Sequence, residues 1–70
     1  MDAEKFRITR LWTNKTQQEF ADFLGVSPAT VARIESGSLD ISPRVKAKIV
    51  SKIDFNESFF DFYDKMHRNH

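Results

Sequence analysis

The chain has 70 residues, with 11 Lys and Arg against 10 Asp and Glu for a formal charge of +1, so it can bury one small core and exerts no strong general pull on a polyanion. It has no cysteine, which excludes disulfide and thiolate–metal staples and fits a reducing, cytoplasmic setting. No apolar run is long enough to span a bilayer and the opening MDAEKF lacks a signal-peptide core, so neither a membrane role nor secretion is expected.

Hydrophobic periodicity predicts five short helices, no strand alternation and a single domain over residues 1–70. The first helix runs from about Ala3 to Trp12 with Asp2 as N-cap. Phe6 and Arg10 share one of its faces, and Ile8, Leu11 and Trp12 an adjoining one. The second opens on TQQE. Thr16 can accept from the amide three residues on while Glu19 reaches back, a reciprocal capping box. Phe20, Ala21 and Leu24 form its inward stripe, and Gly25 offers a left-handed exit.

The third helix starts at Ser27, with Pro28 in the first helical position, where a missing N–H would have no partner anyway. Val31 and Ile34 point inward and Gly37 ends it. The fourth repeats the device with Ser42 and Pro43; Val45, Ile49 and Ile53 recur at every fourth place, and Val50 is expected beside them. The fifth follows Asn56 as cap. Phe59, Phe62, Tyr63 and Met66 fall within an arc of about 100°, which reads as core, and Phe60 lies off it. The last few residues are expected to fray.

Charge is uneven along the chain. Residues 15–52 carry six basic and four acidic side chains, whereas residues 54–70 carry two basic and four acidic. The middle can favour an anionic partner; the tail cannot. Seven Phe, one Trp and one Tyr exceed what so small a core easily hides. Trp12, Phe23 and Phe60 are the surplus, and an exposed aromatic cluster near the fifth helix would mark a partner or dimer surface.

The GVS connection between the second and third helices, with small Ala21 allowing close approach, reads as a helix-turn-helix at about residues 16–37. The segment TQQEFADFLGVSPATVARIESG, with Arg10 upstream, resembles the Cro/CI-type (lambda repressor-like, XRE) family over about Phe6 to Phe60. Arg10, Thr16, Gln17, Ala21, Gly25, Val26, Ser27, Val31, Ile34, Glu35 and Gly37 all fall at that family's spacings. The resemblance implies an all-α, compact five-helix DNA-binding domain. It also implies an ion pair between Arg10 and Glu35, phosphate contacts from Thr16 and Gln17, and base-edge contacts from Ser27, Pro28, Ala29 and Arg33. A similarity to small modulator-of-repression (antirepressor) proteins of temperate phages implies a CI-type repressor as partner and a bacterial host cell as the setting.

This chain departs from a DNA-reading surface in two places. Reading a base edge needs paired donors and acceptors, such as Arg on guanine or Gln and Asn on adenine. Pro28 and Ala29 offer neither, Thr30 offers one weak contact, and Arg33 is the only long donor on that face. After the third helix, where relatives often carry Lys or Arg against the phosphates, the chain reads Leu39, Asp40, Ile41. An aspartate there is repelled by a phosphate row, and few neutralised phosphates mean weak binding. Lys15, Arg44, Lys46 and Lys48 can restore part of that grip.

The same patch suits a protein. Apolar Pro28, Ala29, Leu39 and Ile41 around one arginine match the composition of an interface core. The function expected is therefore a regulator of a phage-type lysis/lysogeny switch that binds a CI-type repressor and modulates or blocks its operator binding. The alternative is an autonomous Cro-like repressor that binds operator DNA as a dimer. A third reading, an antitoxin-like module, needs a longer disordered tail than DKMHRNH.

Several features also have plainer readings. Gln17 can merely extend the helix cap, and Arg33 can be an ordinary solvated side chain. One of Leu39 and Ile41 is expected to fold back over the fourth helix. Lys15 stands where relatives usually carry Leu, and Trp12 is expected to swing into the gap. His67 and His70 lack a third ligand and any supporting shell, so no metal site is expected and disorder is. No nucleophile–base set, carboxylate pair or glycine-rich phosphate loop is present in the sequence, so neither an enzyme, a cofactor nor a small-molecule substrate is expected.

Overall fold

Side-chain caps fix where the helices of this chain begin. The structure, a computed structural model describing residues 1–68, contains α1 (Ala3–Trp12), α2 (Gln17–Leu24), α3 (Pro28–Ser36), α4 (Pro43–Lys52) and α5 (Glu57–Arg68), and no strand occurs among the described residues. The architecture is all-α. The Asp2 carboxylate accepts from the Lys5 amide at 2.7 Å. Thr16 Oγ1 accepts from the Glu19 amide at 3.1 Å while Glu19 Oε1 accepts from the Thr16 amide at 2.9 Å. Ser27, Ser42 and Asn56 cap α3, α4 and α5 in the same way. The Thr16 backbone N–H, and then its hydroxyl, hold the Glu19 carboxyl below its ordinary pKa.

Helices of 8 to 12 residues are marginal alone, so their stability comes from the faces they bury together. Phe6, Phe20, Ala21, Leu24, Val31, Ile34, Val45, Ile49 and Ile53 form one buried cluster. Phe6 and Phe20 meet edge to face at 5.4 Å. Each fully buried aromatic or aliphatic side chain contributes roughly 1.5–3 kcal/mol relative to exposure. Thr9, the one polar residue in the buried set among the described residues, returns its hydroxyl to the Lys5 carbonyl at 2.7 Å.

Several expectations require correction. Val50 is not beside the inward stripe of α4 but 59 % exposed. It follows Ile49 by one place, and a 100° rotation on so short a helix carries it past the core edge. The aromatic arc of α5 buries only Phe59 fully; Phe62, Tyr63 and Met66 are half-buried, because α5 packs on one side against α1. His67 is not disordered. It stands in the last turn of α5 with Nδ1 2.7 Å from Glu4 Oε1, and its ring stacks on Tyr63. His70 lies outside the described residues.

Trp12 does turn inward, edge to face with Phe59 at 5.8 Å and tilted against Phe62 at 5.4 Å. The turn from α1 into α2 places Asn14 at φ +58. Asparagine tolerates that left-handed conformation, although nothing in the hydrophobic pattern marks it.

Gly25 leaves α2 at φ +73, and a Cβ there would sit 2.9 Å from Lys48 Nζ, the group that donates to the Leu24 carbonyl at 2.8 Å. Gly37 has a similar φ of +83 with open space around it. Both alanine variants meet a left-handed cost of about 1–2 kcal/mol. Gly25→Ala must also shift Lys48 Nζ, which disturbs its bond to the Leu24 carbonyl, so its melting temperature should fall further than that of Gly37→Ala. In a domain of this size each kcal/mol corresponds to about 4–8 °C, a difference readable by circular dichroism. Equal losses would mean that the Lys48 bond adds nothing.

Candidate recognition surface

The turn between α2 and α3 is closed by backbone bonds from Gly25 to Asp22 at 3.3 Å and from Val26 to Ala21 at 3.0 Å. Ala21 is fully buried, and a larger side chain there would push apart α2 and α3, which pack directly on each other. Val26 packs half-buried against the core. This fixes α3 on the outside of the molecule, with Val31 and Ile34 inward and Ser27, Pro28, Ala29 and Arg33 exposed.

A bidentate bridge sets the depth of α3. Arg10 Nε donates to Glu35 Oε2 at 2.6 Å, and Nη2 to Oε1 at 3.0 Å. The same guanidinium donates from Nη1 to the Lys15 carbonyl at 2.9 Å, so one side chain ties the end of α1, the turn after it and the end of α3. Its geometry is the fork-to-carboxylate pairing that makes arginine hard to replace. The pair is largely withdrawn from water, with side-chain exposures of 14 % and 6 %.

The polar groups on the front of α3 are spent on one another. Ser27 Oγ accepts from the Thr30 amide at 3.1 Å and lies 2.9 Å from Thr30 Oγ1. Thr30 is half-buried. Gln17, expected to reach phosphate or to extend the cap, is exposed and donates Nε2 to Glu35 Oε1 at 3.3 Å. Thr16 is engaged in its capping box. Pro28, Ala29 and Arg33 are what remain facing outward.

The loop after α3 is held from within. Ser36 and Ser38 hydroxyls both donate to the Arg33 carbonyl, at 3.0 and 3.2 Å, and the Leu39 amide does the same at 3.2 Å. Ile41 turns inward against the core, whereas Leu39 is 42 % exposed and Asp40 is exposed beside it. Leu39, Asp40, Thr30 and Arg44 border a groove floored by Val26 and Ile34.

The four cations set against these residues divide. Arg44 and Lys46 are exposed on α4. Lys48 is committed to the Leu24 carbonyl at 2.8 Å, a helix-capping bond that no local sequence signal predicts. Lys15 lies over the Phe23 ring at 5.1 Å and lines a separate groove with Trp12 and Lys52.

Removing one side of the Arg10–Glu35 bridge leaves its partner buried and unpaired, a loss of about 3 kcal/mol for a pair this withdrawn from water. Glu35→Ala should therefore lower the melting temperature by roughly 10 °C or more. Glu35→Gln keeps the shape and an acceptor, and should lose less. A Glu35→Ala variant that melts like the parent would show that the bridge does not hold α3.

A family model described as helix-turn-helix matches residues 6–60, which spans α1 to the first turn of α5 and the whole α2–turn–α3 unit. No curated protein and no solved structure matches the chain significantly. Among the described residues no helix is long and apolar enough to cross a membrane, and no group of three or more potential ligands could hold a metal. The chain belongs to the Cro/CI-type helix-turn-helix family of DNA-binding transcription regulators.

Proposed function

We propose that this protein regulates a phage-type genetic switch by binding the DNA-binding face of a CI-type repressor and keeping that repressor off its operators. One observation carries the reading: the outward surface of α3 and its following loop presents Pro28, Ala29 and Leu39 with Asp40, and Arg33 as its single long donor. One bidentate base contact gives roughly 1–3 kcal/mol of discrimination, far below the roughly 4–10 kcal/mol that separates specific from non-specific binding. Engagement of Gln17 by Glu35 at 3.3 Å and of Lys48 by Leu24 at 2.8 Å further reduces the polar groups turned toward a phosphate backbone.

A repressor's DNA-reading face is basic. Asp40 at the rim meets such a face favourably, Leu39 and Pro28 supply apolar area, and Arg33 supplies an anchor of the kind enriched at interface centres. The second reading is direct operator binding as a Cro-like dimer, with half-sites about one helical turn apart. Family membership and the exposed Arg33, Arg44 and Lys46 favour it.

The test is displacement. Labelled operator is bound by a CI-type repressor from the same genome, and this chain is titrated in while fluorescence anisotropy is followed. The proposal predicts loss of the repressor–operator signal, with Leu39→Asp and Arg33→Ala each weakening displacement by about tenfold, the scale of a hot-spot residue. No displacement, or displacement because the chain itself occupies the operator, overturns it.

A further inference from the structure

A second surface shares no residue with the outward face of α3 and has no part in the proposed function. The end of α1, the outer side of α2 and the turn after α4 enclose a groove of about 350 Å³ whose lining includes Trp12, Lys15, Phe23, Lys52, Ile53 and Asp54. That is room for one large apolar side chain and its flanking backbone. Trp12 and Phe23 belong to the aromatics that exceed the needs of so small a core, and both are half-buried. Phe23 stacks on the core ring of Phe20 at 5.9 Å.

Two ammonium groups converge on the Phe23 ring, Lys15 Nζ at 5.1 Å and Lys52 Nζ at 4.9 Å. They come from the turn before α2 and the last residue of α4, so the fold brings them together. Cation–π attraction holds each one there against the repulsion between them. Neither lysine forms an ion pair among the described residues. Asp54, the one carboxylate among the lining residues, accepts from Asn56 Nδ2 at 3.5 Å. Glu19 feels the Lys15 charge, but its carboxylate is spent on the Thr16 amide at 2.9 Å.

This pairing of charge and apolar floor selects the occupant. A nucleic-acid strand is held by bare aromatic faces and by cations that track its backbone. Here Phe23 is taken up by Phe20 and by two ammonium groups, so a base finds no free ring, and the groove has two cations, not a track of them. An acidic peptide needs only those two. Carboxylates on either side of an inserted apolar side chain turn the repulsion between the lysines into attraction to both.

We infer that this groove docks a short acidic segment of another protein. One large apolar side chain of that segment seats against Trp12 and Phe23, and its neighbouring carboxylates meet Lys15 and Lys52. The face of α3 stays open while the groove is filled, because the two share no residue. A single anchor with a charged rim makes the contact weak and salt-sensitive.

Trp12 is the only tryptophan of the chain and lines the groove, so its fluorescence reports occupancy. The probe is an end-blocked pentapeptide, phenylalanine flanked on each side by two aspartates, titrated into the full chain at low and high salt. The expected result is a saturable change in Trp12 emission, with a dissociation constant on the order of 100 µM at low salt that rises as salt rises. Lys52→Glu and Lys15→Met should each raise that constant by roughly fivefold or more, as should asparagines for the peptide's aspartates or alanine for its phenylalanine. Lys65→Glu changes net charge as much as Lys52→Glu but lies outside the groove, and should leave the constant within about twofold. Circular dichroism melts verify that each variant folds. No response, or one indifferent to the lysine variants or to the peptide's phenylalanine, would overturn the inference. So would tighter binding of an oligothymidylate than of the peptide, which makes the groove a nucleic-acid site. A Trp12 change on raising the chain's own concentration without peptide would give the groove to a second copy and overturn it equally.

Discussion

The bridge from Arg10 to Glu35 is the constraint on which the rest of the molecule depends. α2 and α3 have 8 and 9 residues, too few turns to persist unaided. Their relative placement is fixed at one end by the contact through buried Ala21 and at the other by a guanidinium that also grips the Lys15 carbonyl and meets Glu35, which in turn accepts from Gln17. A hydrophobic cluster alone tolerates sliding. A forked, nearly dry ion pair does not, because each oxygen and each N–H must keep its partner. The outward face of α3 is thereby presented at a set angle whatever it is used for.

That rigidity separates scaffold from use. Everything inward, from the capping box of α2 to the fully buried Val31, serves a DNA-reading architecture. Outward on α3, Arg33 is the one long donor left for such reading. Ser27 and Thr30 bond to each other, Gln17 bonds inward, and the following loop offers a leucine and an aspartate. A fold determines how a surface is held and leaves open what the surface recognises.

Much of the architecture was legible in the sequence because helix boundaries here are chemical events at single residues. Asp2, Thr16, Ser27, Ser42 and Asn56 each cap the helix that follows, and Gly25 and Gly37 each leave one in the left-handed region. Tertiary choices were not legible. Lys48 reaching the Leu24 carbonyl, Gln17 turning to Glu35, Glu4 meeting His67 and two lysines converging on Phe23 all depend on which elements approach in space. No spacing along the chain encodes these. Val50 failed for a related reason: a helix of 10 residues has a narrow buried stripe, and its neighbour Ile49 already fills it. Of the outward residues, the sequence reveals identity but not engagement, so Thr30 and Gln17 look available until their hydroxyl and amide partners are seen.

The sparse cations and the apolar groups on the outward face of α3 set how the chain meets DNA, and salt reads that out directly. Affinity for duplex DNA measured against salt concentration gives a slope that counts neutralised phosphates, about 0.9 per contact. For the isolated chain, binding should be weak, indifferent to sequence and shallow in slope, reflecting two or three contacts from Arg33, Arg44 and Lys46. Tight, sequence-selective binding at cellular ionic strength with a steep slope would contradict it.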